Sequence, residues 1–408
     1  MQSACLFRAQ LNAPHGEEKR AEKFPGKPNG AHDGTTLPES IFKNGLAMLE
    51  VWREERLLLI AIVVGVASFT LEPYFLDGGR PAALIAAAIL VAAILAASIR
   101  VAHHAERLAE KVGDPYGTMI LTLSAVLVEV VVLGIMMMHA PSPTLVRDTI
   151  YAAVMLDING ILGLAALMGG LKHGEQSYND DSARTYSVMI MTAMGISMVV
   201  PEFIPHTAWQ AYSGFTILAM LLLYGAFLRM QTGPHSYFFS YSYPEKKRRV
   251  RTDTAAQPSR TFTIGVMVGG IAVIGFLAEM MSASLTEGLE GTGAPMTILA
   301  IVVAAISAGP EILTALRAAL ANRMQAVVNI ALGASLSTVI LTVPVMEAIA
   351  IFTGQPFEMA MTPLQTVMVF ITLIVAAINL NDGQTNAIEG MTHFALFATF
   401  LMLLGLGL

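Results

Sequence analysis

The sequence has a single cysteine, Cys5, so no disulfide joins two parts of one chain and no cysteine-rich metal centre can form. Charge is scarce too: 13% of the 408 residues are Asp, Glu, Lys or Arg, about half the roughly 25% typical of soluble domains. Apolar residues make up 55%, with a mean hydropathy of +0.62. These shortages exclude an ordinary soluble enzyme and no nucleic-acid partner is expected, while the net charge of −6 says little, since in a membrane protein it is the placement of Lys and Arg that matters. Neither HExxH nor GxSxG occurs, so an intramembrane hydrolase lacks its usual machinery.

What fills the sequence instead is apolar runs of about twenty residues, the length that crosses ~30 Å of hydrocarbon at ~1.5 Å per residue. Hydropathy predicts eleven spans: 57–76, 81–102, 118–138, 145–171, 185–200, 209–230, 262–281, 295–320, 326–352, 364–380 and 386–408. Residues 1–56 are rich in Gly, Pro, Lys and Glu, as in Glu17-Glu18-Lys19-Arg20, and read as a disordered cytoplasmic tail. The basic residues test the count, because gaining or losing one helix swaps the side of every later loop. With the N-terminus inside, the cytoplasmic segments hold eight Lys and Arg in the tail, Arg100, Arg107 and Lys111 after span two, and Lys172 and Arg184 after span four. Seven more lie between 229 and 260, and Arg317 and Arg323 follow span eight, which accounts for 22 of the 24. Arg80 and Arg147 fall on the other side. The basic loop 231–261, with Lys246-Lys247-Arg248-Arg249-Val250-Arg251, reads as a topology determinant beside the membrane lipid.

Setting span one aside leaves ten, which the basic loop divides into five and five. An odd number per half makes the second half enter the membrane from the opposite side, the inverted-repeat plan of secondary transporters. The expected fold is an all-α polytopic membrane protein of 11 transmembrane helices: an extra N-terminal helix at 57–80, a first repeat at 81–230 and a second at 262–408.

The intramembrane acids fit that plan. Glu129 lies near the middle of span three and Glu311 within span eight, the second helix of each repeat. A carboxylate at such depth costs at least about 2.5 kcal/mol and is rarely there for packing. Span four adds Asp157 and Asn159, span nine answers with Ser335, Ser337 and Thr338, and Ser307 lies one turn before Glu311. These are hard oxygen donors without a thiol, suited to Ca²⁺, Na⁺, K⁺ or H⁺ rather than Zn²⁺ or copper. A carboxylate withdrawn from water also holds a proton readily, so it can trade a cation for a proton near neutral pH.

Pro310, beside Glu311, predicts a break in span eight that turns carbonyls near Ile306 and Ser307 toward an ion. Glu279, Glu389 and His393 are candidates for a proton path, and the last two share a helix face at a spacing of four. Glu202 and Glu347 lie nearer span ends and read as snorkelling or vestibule residues.

Residues 307–345, SAGPEILTALRAALANRMQAVVNIALGASLSTVILTVPV, resemble the second repeat of the cation/calcium exchanger superfamily, in its calcium/proton exchanger branch. Residues 117–170 resemble the first repeat, with Glu129 in the glutamate position and Gly169-Gly170 closing it. Asp382-Gly383-Gln384-Thr385-Asn386-Ala387-Ile388-Glu389-Gly390 is similar to the family's DGxSNWLEG signature. Gly113-Asp114-Pro115-Tyr116-Gly117 and Leu145-Val146-Arg147-Asp148-Thr149-Ile150-Tyr151 resemble the bacterial members that exchange calcium, or sodium and potassium, for protons. The resemblance covers residues 57–408 and leaves the tail outside.

It implies ten core helices plus one, a bacterial inner-membrane location with a cytoplasmic N-terminus, and a metal cation bound between Glu129 and Glu311. The sequence departs from the family's GNAxE pattern, reading Ala125-Val126-Leu127-Val128-Glu129 and Ser307-Ala308-Gly309-Pro310-Glu311. Ser337 stands where the family often has Gln, and Asp157 where it often has Asn. The expected function is a secondary antiporter, without catalysis or cofactor, exporting cytoplasmic Ca²⁺ first, and Na⁺ or K⁺ next, against protons. The alternatives are a monovalent cation/proton antiporter without Ca²⁺ transport and, further from the matched acids, a cation channel.

Overall fold

Inside a bilayer each span must close its own backbone hydrogen bonds, and here each does so as a helix. The computed structural model describes residues 55–112, 116–139, 142–233, 236–239, 259–292 and 297–408. Of the tail read over 1–56, residues 1–54 lie outside these residues, as does most of the basic loop; the tail's last two, Glu55 and Arg56, instead cap and begin the first helix.

Eleven helices follow in order: α1 Arg56–Asp77, α2 Arg80–Val112, α3 Tyr116–His139, α4 Leu145–His173, α5 Asp180–Phe203 and α6 Trp209–Thr232 form the first part. After the basic loop come α7 Arg260–Leu289, α8 Thr297–Leu320, α9 Met324–Thr353, α10 Pro363–Asn379 and α11 Ala387–Gly405. The fold is the expected one, a helix followed by two inverted five-helix repeats. Among the described residues nine helices are long and apolar enough to cross a membrane, and α10, with 17 residues, is apolar but shorter. α5, the weakest span by hydropathy, extends to 24 residues by ending in a π turn, Gly195–Val199, and a 3₁₀ turn, Val200–Phe203.

Loops that the charge count assigns to one side meet on that side. Gln176 after α4 donates to Ala319 O and to Asn322 Oδ1 after α8, at 2.9 and 3.0 Å. The strands β1 Gln176–Ser177 and β2 Gln384–Thr385 pair antiparallel, joining the loop after α4 to the loop after α10. At the opposite end, Glu358 N donates to Pro143 O and Met361 N to Met198 O. One wrong helix in the count would scramble these pairings. Arg147, an exception to the charge rule, is buried against Asp148 at 2.8 Å and donates to Ala360 O.

α2 and α7, the first helices of the two repeats, pack antiparallel: Gly288 lies against Leu84 and Gly270 against Val101. α4 and α11 approach more closely still. A Cβ on Gly170 would stand 2.3 Å from Ala387 N, and one on Gly390 would stand 2.2 Å from Leu167 N. Small residues that let backbones touch are the usual device for holding helices together in lipid, where no hydrophobic effect drives them. The DGxxNxxEG stretch is therefore mostly architectural. Asp382 and Gly383, at φ 75°, make the turn, Asn386 caps α11 by accepting from Ile388 N and Glu389 N, and Gly390 admits α4.

α1 is locked to α2 by Glu55, which accepts from Arg100 at 2.6 and 3.1 Å and lies 2.8 Å from His104 Nε2. Burial raises the Glu55 carboxyl, but the hydrogen bonds and charges of Arg100 and His104 outweigh it and hold the group below its ordinary value.

Candidate cation site

Glu129 and Glu311 each sit near the middle of a helix of 24 residues, α3 and α8. The helix that follows each of them, α4 or α9, is not regular. α4 widens into a π stretch at Met155–Leu162, which carries Asp157 and Asn159, and α9 widens at Thr338–Thr342. A π turn accommodates an extra residue and resets which side chains face inward, and such turns cluster at functional sites. α8, by contrast, runs unbroken through Pro310. The expected break is absent: proline removes a single donor, and the helix runs on through it.

The side chains meet across the repeats. Glu129, 3% exposed, accepts on Oε2 from Thr338 and Thr342, both at 3.0 Å. Its Oε1 is buried without a hydrogen-bond partner among the described residues. Asp157, 2% exposed, accepts on Oδ2 from Ser335 at 3.1 Å. Glu311 is half-buried and, among the described residues, accepts no hydrogen bond.

Glu129, Asp157, Ser307, Glu311, Ser337 and Thr338 line one small cavity of ≈ 20 Å³, space for about one water or ion. Among the described residues no three His, Cys, Asp or Glu side chains converge closely enough to clasp a metal on their own. The carboxylates ring the cavity instead. An orphaned carboxylate oxygen beside ion-sized space is what a transient cation or proton would complete.

Glu311, Ser307 and Ser337 also line a second cavity of ≈ 800 Å³. It widens past Ser98, Asn329 and Gln231 toward the side of the basic loop. Tyr186, Phe227 and Phe239 stack on its wall with ring centroids 5.5–5.8 Å apart.

Other expected residues lie elsewhere. Asn159 turns away from the cavity, donating to Thr372 at 2.7 Å and lying 3.0 Å from His393 Nδ1. Glu389 and His393 do not pair with each other: Glu389 accepts from Asn386 at 2.9 Å, because the helix cap holds it, while His393 is drawn to Asn159. Glu279 is exposed on α7, and neither it nor Glu389 nor His393 lines either cavity. Thr342 is a residue that reading the sequence missed, although its place one turn after Thr338 is a usable signal.

The chain is similar to known proteins over most of its length. A family model described as sodium/calcium exchanger protein matches residues 81–233 and 262–406. The chain is 33% identical over 309 residues to the sodium-potassium/proton antiporter ChaA of Escherichia coli (strain K12), covering 74% of this chain and 84% of that protein. It is 26% identical over 260 residues to the Ca²⁺/H⁺ antiporter ChaA of Bacillus subtilis (strain 168), covering 62% and 73%. Among solved structures, the selenium-substituted Ca²⁺/H⁺ antiporter protein YfkE superposes with a TM-score of 0.65 at 19% identity, over 85% of this chain and 99% of that one. At that identity the likeness speaks for the fold.

Proposed function

The chain belongs to the sodium/calcium exchanger protein family, and from that premise we propose that it is a secondary antiporter exchanging a cation for protons across the membrane it spans. One observation carries this reading: acids of both repeats, Glu129 and Asp157 from the first and Glu311 from the second, line one ion-sized cavity beside an open vestibule.

Coupling follows from charge. Uncompensated carboxylates in hydrocarbon are costly, so a departing cation must be replaced by protons and arriving protons displace the cation. Room for about one ion makes the two occupants exclusive. Thr338 and Thr342 fix the Glu129 carboxylate with one oxygen free for either of them, while Glu311 stands where the cavity meets the vestibule. Ser335 does for Asp157 what an amide neighbour would do, and Ser307 and Ser337 add neutral oxygens. On this reading cations and protons cross the membrane and no substrate is chemically changed, so the chain acts as a transporter rather than a catalyst.

Ca²⁺ is our first assignment, since the carboxylates around the cavity and the hydroxyls of Ser307, Ser337 and Thr338 are the hard oxygen donors that ion takes. Na⁺ or K⁺ is the second, favoured by the 33% identity to an antiporter of sodium and potassium. Fluorescence-monitored proton movement in inverted vesicles, with Ca²⁺, Na⁺, K⁺ and Mg²⁺ added separately, tests both. A response to Ca²⁺ supports the first, a response to Na⁺ or K⁺ alone supports the second, and no response to any of them overturns the antiport reading.

We assign the vestibule, the basic loop 231–261 and the tail 1–56 to the cytoplasm of a bacterial inner membrane, supported by the 22 to 2 partition of Lys and Arg. A cysteine placed at Ser259 is then protected from an impermeant thiol reagent added to intact cells. Its labelling there reverses the orientation.

A further inference from the structure

Glu347 lies in the half of α9 away from the vestibule, and its place near the end of a span suggests an exposed, snorkelling acid. It is instead buried, at 2% exposure, and lines neither cavity. One carboxyl oxygen has no hydrogen-bond partner among the described residues. The groups facing it are few. α9 beyond Thr342 packs on α6 and α3. From α6, Ser213 lies beside the carboxyl and Tyr212 is the titratable neighbour. α3 carries no Lys or Arg, its one acid is Glu129, its one histidine, His139, is its last residue, and the one basic residue of α6, Arg229, sits at that helix's opposite end. Among the described side chains an ionised Glu347 would thus stand without a Lys or Arg beside it, a costly arrangement.

Glu347 shares its helix with the site: Thr342, which bonds Glu129, lies five residues earlier, about 7.5 Å of rise and roughly 140° round the axis. We propose, resting on the antiport reading above, that Glu347 is a proton-binding residue of the exchange cycle on the side away from the vestibule, trading its proton with the cation site. In that step a proton leaves the Glu347 carboxyl and arrives on a carboxylate of the cation site, leaving the first ionised and the second neutral. A proton from water on the far side then restores Glu347. The cation never visits Glu347.

The test uses the full chain in vesicles, with cation-dependent proton movement measured against pH on the far side while pH on the vestibule side is held fixed. Glu347→Gln is expected to slow exchange at least several-fold and to flatten the far-side pH profile. Glu347→Asp restores part of both. Ser213→Ala, which leaves the acid but removes the hydroxyl beside it, moves the profile along the pH axis with little change in the maximal rate. Two results overturn the inference while leaving antiport intact: a wild-type rate and profile in Glu347→Gln, or a uniform loss at every pH that Glu347→Asp does not relieve, which marks packing. Absence of cation-dependent proton movement in the wild type overturns the antiport reading and this inference together.

Discussion

α4 and α9 hold equivalent places in the two repeats and differ in chemistry. α4 brings an acid to the cavity, Asp157, whereas α9 lines it with the hydroxyls of Ser337 and Thr338 and supports its acids with those of Ser335 and Thr342. The hydrogen bonds of the site therefore run from second-repeat donors to first-repeat acceptors. Glu129 and Asp157 are held in place by their partners, while Glu311 is not. An inverted repeat supplies two similar frames, and the exchange of acid for hydroxyl in one of them makes a fixed half and a free half of one site.

The largest effect tests whether the halves are equal in charge though unequal in support. Glu129→Gln and Glu311→Gln are each expected to reduce cation-driven proton movement to background while the protein inserts and purifies normally. Exchange surviving in one of the two breaks the comparison, because that glutamate would then carry neither ion nor proton.

Asp157 sharpens it next. Asp157→Leu, which removes the polar group, is expected to be nearly inactive, and Asp157→Asn to transport with an altered pH dependence or cation preference. Initial rates against pH for both variants decide the matter. A dead Asp157→Asn makes the third charge obligatory, and an unaltered Asp157→Leu removes Asp157 from the site.

The hydroxyls rank third. A hydrogen bond to a charged group contributes about 1.5–3 kcal/mol, so Thr342→Val is expected to raise the cation concentration for half-maximal exchange roughly tenfold. Ser337→Ala, whose hydroxyl bonds to its own helix at Ala334 O, should change it less. Dose-response curves for the two compare a donor to the acid with a mere lining group.

The smallest effect lies outside the repeats. Glu55→Gln weakens the link from α1 to α2 and is expected to lower the thermal unfolding midpoint modestly without altering cation preference. Because the folded Glu55 group is held below its ordinary value of 4.5, its contribution is present above that pH and lost as pH falls through the lower folded value. Melting curves from neutral pH to below 4.5 should show wild type and variant converging.

Hydropathy and the placement of Lys and Arg suffice to read the eleven helices, since a bilayer sets both the length of a span and the side of each loop. Glu129, Asp157 and Glu311 are equally legible, because acids at that depth need a reason. The π stretches of α4 and α9 are not, since these helices are apolar on nearly every face and an extra residue interrupts no visible periodicity. Asn159 carried a signal that the ligand reading overlooked: residues two apart on a helix point to nearly opposite faces, so Asn159 was never a natural companion of Asp157. Glu347 misleads for another reason. α9 runs for 30 residues, and a position near the end of its apolar run is still deep among neighbouring helices.

The two-residue ladder between β1 and β2 has a mechanical consequence. With the bonds from Gln176 to the end of α8, it stitches a loop of one repeat to two loops of the other along a single seam. Sliding of the repeats at that seam would tear backbone bonds, whereas rotation about it spares them, which makes the seam a fulcrum. A helix of 24 residues is a lever of about 36 Å, and swinging it by roughly 5° carries its far tip about 3 Å, the width of a water molecule.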